Sequence, residues 1–378
     1  MKKVLAIFMV LLLWGCSAVD KDEAVSVSQS KKDSKPQKSM QLQFASGFSV
    51  DYYEDGYKLI TLADKSRFLV VPEGKDVPAA LPEGITALQQ PIKDIYLTAT
   101  SAMGLFDAID RLDAVRLSGT RADGWYIENA KAAMERGDIV YAGKYSEPDY
   151  ELILDEGCGL AIESTMIAKA SQVKEKLEEI GVTVLIDQSS YESHPLGRAE
   201  WIKLYAALLN EEQKAEALFE QQVKYMDDAV NSGKTGKTAA FFHINSSGQV
   251  VVRSSSDYIS KMIELAGGDY IFDGMDDNGG MKATNTIEME SFFAAAQNAD
   301  YLIYNGTIAD EMESIQQLVS LNEMLADFKA VQNGNVWCTE QGMFQETMQH
   351  GRMISDFNTI FTEEAPAPEQ IKYMYRLK

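Results

Sequence analysis

The sequence predicts an α/β protein built from two lobes that are joined by a single long helix. Two observations lead to this fold class. Apolar strand patterns alternate with helical patterns both before residue 211 and after residue 233, which is typical of βαβ units and a mainly parallel sheet. Segment 211–233 has apolar residues at helical spacing and no glycine or proline before Gly233, which predicts one continuous helix.

The elements of each lobe follow from these patterns. In the first lobe, strands are predicted at "KDIYLTAT", "GDIVYAG", "CGLAIES" and "VTVLID", and helices at "SAMGLFDAIDRL", "PDYELILDEG" and "SQVKEKLEEIG". In the second lobe, strands are predicted at "TAAFFHI", "DYLIYNGT" and "NVWC", and helices at "SDYISKMIELAGG", "EMESFFAAAQNA" and residues 345–362. Each lobe is therefore expected to be Rossmann-like.

The first residues of the sequence predict a secretion signal. Lys2 and Lys3 precede eleven apolar residues at positions 4–14, whereas a membrane-spanning helix needs about 20. The segment "LWGC" that follows resembles a lipobox, in which the cysteine becomes diacylated, although Trp14 stands where a small residue is usual. An ordinary signal peptide with a chance cysteine is the alternative, and Leu13 fits its cleavage rule poorly.

The predicted organisation has six parts. They are a signal peptide at 1–15, a lipid-anchored disordered tether at 16–41 starting at Cys16, a β-rich extension at 42–90, the first lobe at 91–210, the connecting helix at 211–233 and the second lobe at 234–378. The tether is predicted because it lacks aromatic residues and apolar periodicity.

Charge and cysteine content exclude some functions. The formal net charge is −22, which argues against nucleic-acid binding because that affinity comes mainly from Lys and Arg on phosphates. Cys158 and Cys338 are far apart and fit no metal-binding spacing, so we expect two reduced core thiols. GxSxG, HExxH and Walker motifs are absent from the sequence and the three histidines are scattered. No catalytic residue, metal or cofactor is therefore predicted.

A family resemblance comes from the order and spacing of four segments between about residue 90 and the C-terminus. They are "PDYE…GLAIES", "IGVTVLID", "KMIELAGGDYIF" and "EMESFF…ADYLIY". Together with the lipobox and tether, they resemble the substrate-binding proteins of ABC importers, in the rigid-helix class that binds iron–siderophore complexes, haem or cobalamin. The resemblance implies a ligand cleft between the lobes, a permease partner, and a monomer anchored at the extracytoplasmic face of a Gram-positive cell membrane. A tethered sensor or scaffold with the same fold is the alternative, and a lipid-anchored hydrolase is a third.

The resemblance also implies docking residues. In that family a glutamate on each lobe meets arginines of the permease, and the matching positions are Glu151 and Glu290. Both also lie in predicted first turns of helices, where a negative charge is favoured by the helix dipole alone. The residues by themselves favour that simpler explanation, and the resemblance favours docking.

Cleft residues are expected after the carboxyl ends of the strands. The candidates are Tyr145 and Arg253, followed by Trp125, Tyr126, Met103, Tyr191, Asn245, Glu340, Met343 and Phe344. Aromatic walls suit large planar ligands, and Arg253 could bind a ligand carboxylate. Trp125 could instead belong to the core, and Arg253 could pair with Asp257 at the surface. In "YESHPLGRAEWIKLY", Arg198 and Glu200 could pair locally with Glu192, or the segment could form the cleft floor.

Overall fold

The computed structural model describes residues 35–275, 283–309 and 311–378. Residues 36–378 form one compact unit. The predicted signal peptide and residues 16–34 of the predicted tether, including Cys16, lie outside the described residues. Among the helices that the structure describes, none is long and apolar enough to cross a membrane.

The N-terminal extension is a five-stranded sheet. Its strands, in spatial order, are β1 (Lys38–Ser39), β2 (Phe48–Tyr52), β3 (Lys58–Leu62), β4 (Arg67–Val71) and β5 (Ile85–Gln89). All neighbours are antiparallel except β4 and β5, which are parallel. Alternate residues of β2 and β3 are buried, as expected for strands with one face on a core. Strand β1 lies within residues 16–41, which the sequence predicts to be a disordered tether. Its residues are ordered because their backbone pairs with β2.

The first lobe contains a parallel sheet flanked by helices. Its strands are β6 (Ile95–Leu97), β7 (Val115–Ser118), β8 (Val140–Tyr141), β9 (Gly143–Lys144), β10 (Glu147–Pro148), β11 (Leu160–Ser164) and β12 (Thr183–Asp187). Its helices are α1 (Thr100–Ala108), α2 (Glu128–Arg136), α3 (Tyr150–Asp155), α4 (Ser171–Glu179), α5 (Pro195–Glu200) and α6 (Ile202–Leu209). The sheet order is β12-β11-β6-β7-β8, and β9 and β10 form a separate hairpin.

One long helix, α7 (Glu212–Asn231), connects the lobes. It begins after Asn210, whose φ of 61° ends α6 in the left-handed region, a conformation that asparagine tolerates well. Ala215, Phe219 and Met226 are buried along one face, which is the stripe that the apolar spacing predicts. The predicted connection of two α/β lobes by a single helix is confirmed.

The second lobe has a mixed sheet. Its strands are β13 (Thr238–Ile244), β14 (Val250–Arg253), β15 (Asp269–Tyr270), β16 (Thr284–Ile287), β17 (Tyr301–Tyr304), β18 (Val336–Thr339) and β19 (Met374–Arg376). Its helices are α8 (Tyr258–Leu265), α9 (Met289–Ala296), α10 (Ile315–Leu321), α11 (Lys329–Gln332) and α12 (His350–Thr362). The order is β16-β14-β13-β17-β18-β19, and β15 also pairs with β13.

This sheet is less parallel than the sequence predicts. Strands β14, β16 and β19 pair antiparallel with their neighbours. The tight turn after β13 explains the first case, since Gly248 has a φ of 77° and short hairpins can join only antiparallel strands. Strands β13, β17 and β18 keep the predicted parallel arrangement.

A single hydrophobic core connects the extension, both lobes and α7. A second, smaller cluster lies on the other face of the first-lobe sheet. Cys158 and Cys338 are buried free thiols, as predicted. Over the described ranges, no group of three or more His, Cys, Asp or Glu residues is arranged to hold a metal ion.

Candidate ligand cleft and docking surface

Loops that follow strands of the two lobes contact each other, and we call the region between them the candidate cleft. The backbone N–H of Tyr126, after β7, donates to Oε1 of Gln345, after β18, at 2.8 Å. Nε2 of Gln345 donates back to the carbonyl oxygen of Gly124 at 2.7 Å, and the Tyr126 hydroxyl donates to Gln341. Open α/β lobes bind ligands at this edge of the sheet, so the loops after the strands form the candidate site.

Exposed apolar side chains follow four of these strands. Tyr126, Met166, Tyr191 and Ile308 come after β7, β11, β12 and β17, and are 46%, 40%, 73% and 59% exposed. We call these four residues the apolar rim. Large exposed apolar groups that cluster at one place usually mark a binding surface. The sequence analysis proposes Tyr126 and Tyr191 as cleft residues. It does not propose Met166 or Ile308, because it favours aromatic side chains.

Two partly buried arginines lie near the start of α8. The guanidinium of Arg198, on α5, lies 3.7 Å from the ring centroid of Tyr258. The guanidinium of Arg253, at the end of β14, lies 4.9 Å from the ring of Phe344. Burial lowers the pKa of the Arg198 guanidinium from its ordinary value, and the Arg253 charge adds to this effect. The two cations are therefore close enough to repel each other.

The alternatives for these arginines turn out differently from the sequence expectations. Nη1 of Arg253 lies 3.7 Å from Oδ2 of Asp257, but Asp257 is buried, so the pair is not at the surface. Arg198 does not pair with the Glu192 carboxylate. Its Nε donates to the Glu192 main-chain oxygen at 3.1 Å and its Nη2 to the Ser190 main-chain oxygen at 2.6 Å. Both acceptors are neutral carbonyl oxygens, whereas Asp257 and Asp187 act on the Arg198 charge through space.

Two buried aspartates lie near the arginines. Burial raises the pKa of Asp257 and of Asp187, and the arginine charges oppose this shift. Asp187 is also engaged by the Ser189 amide at 2.8 Å and by the Tyr205 hydroxyl. Burial and the Arg253 charge lower the pKa of His243, so this imidazole is neutral at pH 7. Arg198 and Arg253 thus lie beside two buried aspartates, and Arg253 pairs with one of them, Asp257.

Three predicted cleft residues belong to the core instead. Trp125 is 2% exposed, and its Nε1 donates to Ser118 Oγ at 3.3 Å. Met103, on α1, and Met343, after β18, are 0% and 1% exposed. Apolar side chains that follow a strand can turn inward as well as outward, and here packing turns them inward. All three side chains are part of the main hydrophobic core.

The remaining predicted cleft residues are half-buried. Oδ1 of Asn245 accepts from the Ser247 and Gln249 amides and so stabilises its own turn. Burial raises the pKa of Glu340, and the nearby carboxylate of Glu311 acts in the same direction. Tyr145 lies in the β9–β10 turn and packs against the smaller core cluster. Their contact with a ligand stays a prediction.

The two predicted docking glutamates are exposed. Glu151 lies in the first turn of α3 and Glu290 in the first turn of α9. Leu154, on the same helix as Glu151, is 51% exposed. Asp149 already caps α3 by accepting from the Leu152 amide at 3.1 Å. A second carboxylate is therefore not required to satisfy the backbone at this helix start.

One interior strand of each lobe has a buried polar residue at or just after its carboxyl end. Glu163, in β11, and Asn305, directly after β17, are 0% and 1% exposed. Glu163 Oε1 and Asn305 Oδ1 have no hydrogen-bond partner within the described part of the chain. Burial raises the pKa of Glu163 to about 7, although a hydrogen bond from Thr98 opposes the shift. The correspondence supports the internal repeat that "LAIEST" and "LIYNGT" indicate.

The sequence pattern of the family described as "periplasmic binding protein" matches residues 104–341. The chain belongs to this family. Two curated relatives are uncharacterized lipoproteins of Methanocaldococcus jannaschii. MJ0878 is 24% identical over 354 residues, which cover 86% of this chain and 82% of the relative. MJ0872 is 25% identical over 339 residues, which cover 86% and 84%.

Solved structures of similar fold include three named binding proteins. The periplasmic heme binding protein HutB of Vibrio cholerae has a TM-score of 0.57 at 16% identity, with 70% of this chain and 97% of that chain covered. The petrobactin-binding protein YclQ of Bacillus subtilis has a TM-score of 0.57 at 16% identity, with 72% and 93% covered. The catecholate-siderophore binding protein VctP of Vibrio cholerae has a TM-score of 0.56 at 13% identity, with 82% and 99% covered.

These comparisons confirm the family and the two-lobed fold that the sequence predicts. This periplasmic binding protein shares its architecture with solute-binding proteins, and its curated relatives are lipoproteins. Both lipoprotein relatives come from an archaeon, and they give no support to a Gram-positive source.

Proposed function

We propose that this protein is the lipid-anchored, extracytoplasmic solute-binding component of an ABC importer and that it captures an anionic metal chelate. The observation that carries the ligand class is the pair of partly buried arginines, Arg198 and Arg253, near the start of α8. Carboxylate and catecholate oxygens are the natural partners of guanidinium groups. The solved proteins with this fold include a heme binding protein (HutB), a petrobactin-binding protein (YclQ) and a catecholate-siderophore binding protein (VctP).

The apolar rim supports a ligand that is both aromatic and anionic. Its two tyrosines, one methionine and one isoleucine could contact a planar chelate while the arginines bind its charged groups. An iron–siderophore complex with catecholate arms satisfies both requirements, and so does haem through its propionates. Cobalamin carries one anionic group, a phosphodiester, and has neither carboxylate nor catecholate groups, so it is the least favoured of the three predicted ligands.

A ligand panel tests this function. The chain from residue 17 onward is titrated with ferric tris(2,3-dihydroxybenzoate), ferric citrate, haem and cyanocobalamin, and binding is measured by tryptophan fluorescence and thermal unfolding. A ligand at 100 times its dissociation constant should stabilise the protein by about 2.7 kcal/mol. If no anionic chelate shifts the unfolding transition, the proposed ligand class is wrong.

A matched pair of arginine variants tests the site. Arg253→Gln should weaken the binding of the anionic chelate at least tenfold, because a charged hydrogen bond contributes roughly 1.5–3 kcal/mol. Arg67→Gln removes an arginine of the extension that contacts the Glu83 carbonyl oxygen and should leave the affinity unchanged. Equal effects of the two changes would contradict the assignment.

We also propose that Glu151 and Glu290 dock the protein on the permease. Exposed carboxylates on both lobes could fix the register on a two-subunit partner through charge complementarity, and Leu154 offers an adjoining apolar contact. The double change Glu151→Lys and Glu290→Lys should abolish uptake of the chelate by cells and leave its affinity intact. Glu175→Lys, on the exposed side of α4, is the control. A parallel loss of affinity would contradict the docking role.

Membrane attachment through Cys16 completes the proposal. The lipobox-like "LWGC" and the lipoprotein relatives support it. Mass spectrometry of the membrane-extracted protein should find a diacylglyceryl group on an N-terminal cysteine, and Cys16→Ala should release the protein from the membrane. Mature protein that starts elsewhere would contradict the anchor.

A further inference from the structure

A five-residue segment of the extension, residues 43–47, binds two buried carboxylates. We call this segment the strap. The amides of residues 43, 44 and 45 donate to Glu200, and those of 46 and 47 donate to Glu192, with the shorter nitrogen–oxygen distance 2.8 or 2.9 Å in every case. Glu200 and Glu192 are 0% and 5% exposed. Charge-assisted hydrogen bonds of this kind are among the stronger polar contacts in proteins.

The strap lies directly on α5 and leaves no room between them. A Cβ on Gly47 would lie 2.8 Å from Cζ2 of Trp201 and 3.0 Å from Oε1 of Glu192. A Cβ on Gly197, in α5, would lie 3.1 Å from the Phe44 carbonyl oxygen. The Phe44 ring also stacks on His194, with 4.3 Å between ring centroids. Both glycines are thus needed for the close approach.

Helix α5 in turn lies where the two lobes meet. The Pro195 carbonyl oxygen, at its start, is 2.8 Å from Nδ1 of His350 in α12. The His350 ring packs on Tyr258 of α8 with 5.2 Å between centroids, and Tyr258 carries the Arg198 guanidinium on its ring. The position of α5 therefore determines where Arg198 lies relative to the second lobe.

Glu192 joins the strap to Arg198. Its carboxylate accepts the hydrogen bonds of Ser46 and Gly47, and its main-chain oxygen accepts the Nε hydrogen bond of Arg198. We propose that the strap positions Arg198 in the cleft through Glu192, so that the N-terminal extension is part of the ligand site. This inference rests on the proposed function, in which Arg198 binds the anionic chelate. Glu192 is then a positioning residue, because it acts on the ligand only through the arginine.

If Glu192 had a purely structural role, its loss would have the same effect on binding as the loss of any other buried contact between the extension and the first lobe. The contacts of Lys58 provide this comparison. Nζ of Lys58, on β3, donates to the Ala207 carbonyl oxygen at 2.8 Å and to Asn210 Oδ1 at 2.7 Å, and pairs with Glu212. These contacts hold the extension to the junction of α6 and α7. Lys58→Met therefore loosens the same sheet without touching Arg198.

The binding experiment uses the chain from residue 17 onward, with ferric tris(2,3-dihydroxybenzoate) as the probe. Glu192→Gln should weaken binding about tenfold, the size expected for a charged hydrogen bond that is no longer well placed. Lys58→Met should lower stability and leave the dissociation constant unchanged. In an Arg198→Gln background, Glu192→Gln should have no further effect on affinity. Additive losses in the double variant, or equal losses with Lys58→Met, would overturn the proposal.

A ligand-free measurement separates this proposal from the proposed function. Hydrogen exchange followed by mass spectrometry should show faster exchange in Glu192→Gln both in the strap and in residues 188–198, and faster exchange in neither segment in Lys58→Met. If the probe fails to bind the unmodified protein, the proposed ligand class is wrong. The exchange result still tests whether the strap positions residues 188–198. Unchanged protection of 188–198 would overturn that positioning role.

A milder variant covers the case in which Glu192→Gln does not fold. Ser46→Ala removes only the hydroxyl that donates to Glu192 Oε2 at 3.1 Å. It should speed exchange in residues 188–198 and weaken binding of the probe two- to threefold, as expected for one hydrogen bond of about 0.5 kcal/mol. A folded Ser46→Ala protein that changes neither quantity would argue against the strap as a positioning element.

Discussion

The buried carboxyl group of Glu163 should make the stability of this protein depend on pH in a defined direction. Burial raises the pKa of Glu163 from 4.5 to about 7. In the unfolded chain the group returns to its ordinary pKa, so the folded state binds an additional proton between these values. The free energy of unfolding therefore falls as pH rises from 4.5 to 7, and it stays lower above pH 7.

The size of the effect follows from the shift. A difference of about 2.5 pH units at 1.36 kcal/mol per unit corresponds to roughly 3 kcal/mol of stability above pH 7. Glu163→Gln keeps the shape of the side chain, keeps an acceptor for Thr98 and cannot ionise. Relative to the unmodified protein, the variant should gain about 3 kcal/mol between pH 4.5 and pH 8. Any cost of the new amide group is the same at both pH values and cancels.

Urea unfolding measures this difference. The free energies of unfolding of the two proteins are determined at half-unit intervals between pH 4.5 and 8, and their difference is plotted against pH. Glu175→Gln, which changes an exposed carboxylate on α4, is the control and should give a flat line. A flat line for Glu163→Gln would refute the reasoning, because it would show that the carboxyl group does not change its proton between folded and unfolded states.

Three further predictions concern stability and reactivity. Gln345→Ala removes two hydrogen bonds between the lobes and should lower the free energy of unfolding by about 1–3 kcal/mol, measured in urea; no change would show that these bonds are replaced by water. Gly351→Ala places a Cβ 2.1 Å from the Gln222 carbonyl oxygen, so the contact between α12 and α7 should fail and little soluble protein should be recovered. Burial raises the pKa of the Cys158 thiol to about 11 and also raises that of Cys338, so a thiol reagent at pH 8 should find both groups only after denaturation.

The fold was predictable where burial leaves a strong pattern. Strands β11, β12, β13 and β17 are continuous apolar runs because helices or other elements cover both of their faces. Helix α7 has one apolar stripe because one of its faces packs on α12. Strands β14, β16 and β19 were not predicted, because they are chosen by tertiary pairing with their neighbours.

The site was predictable only in part, because direction and partners are decided by contacts distant in sequence. Tyr126 and Tyr191 are exposed after their strands and stay predicted cleft residues, whereas Trp125 follows the same strand as Tyr126 and is buried in the core. The local pairing expected for Glu192 and Arg198 is wrong. Amides about 150 residues earlier in the chain donate hydrogen bonds to the Glu192 carboxylate. No sequence pattern predicts that contact.

Under the proposed function, the net charge of the protein has a kinetic consequence. With a formal net charge of −22, the protein would repel an anionic chelate at long range, and Arg198 and Arg253 would attract it only after entry. At 0.01 M ionic strength the repulsive field extends about 30 Å, but at 0.15 M it is confined to about 8 Å. Added salt should therefore speed association up to the point where the arginines are themselves screened. A binding protein of this kind would capture its ligand best in a saline medium.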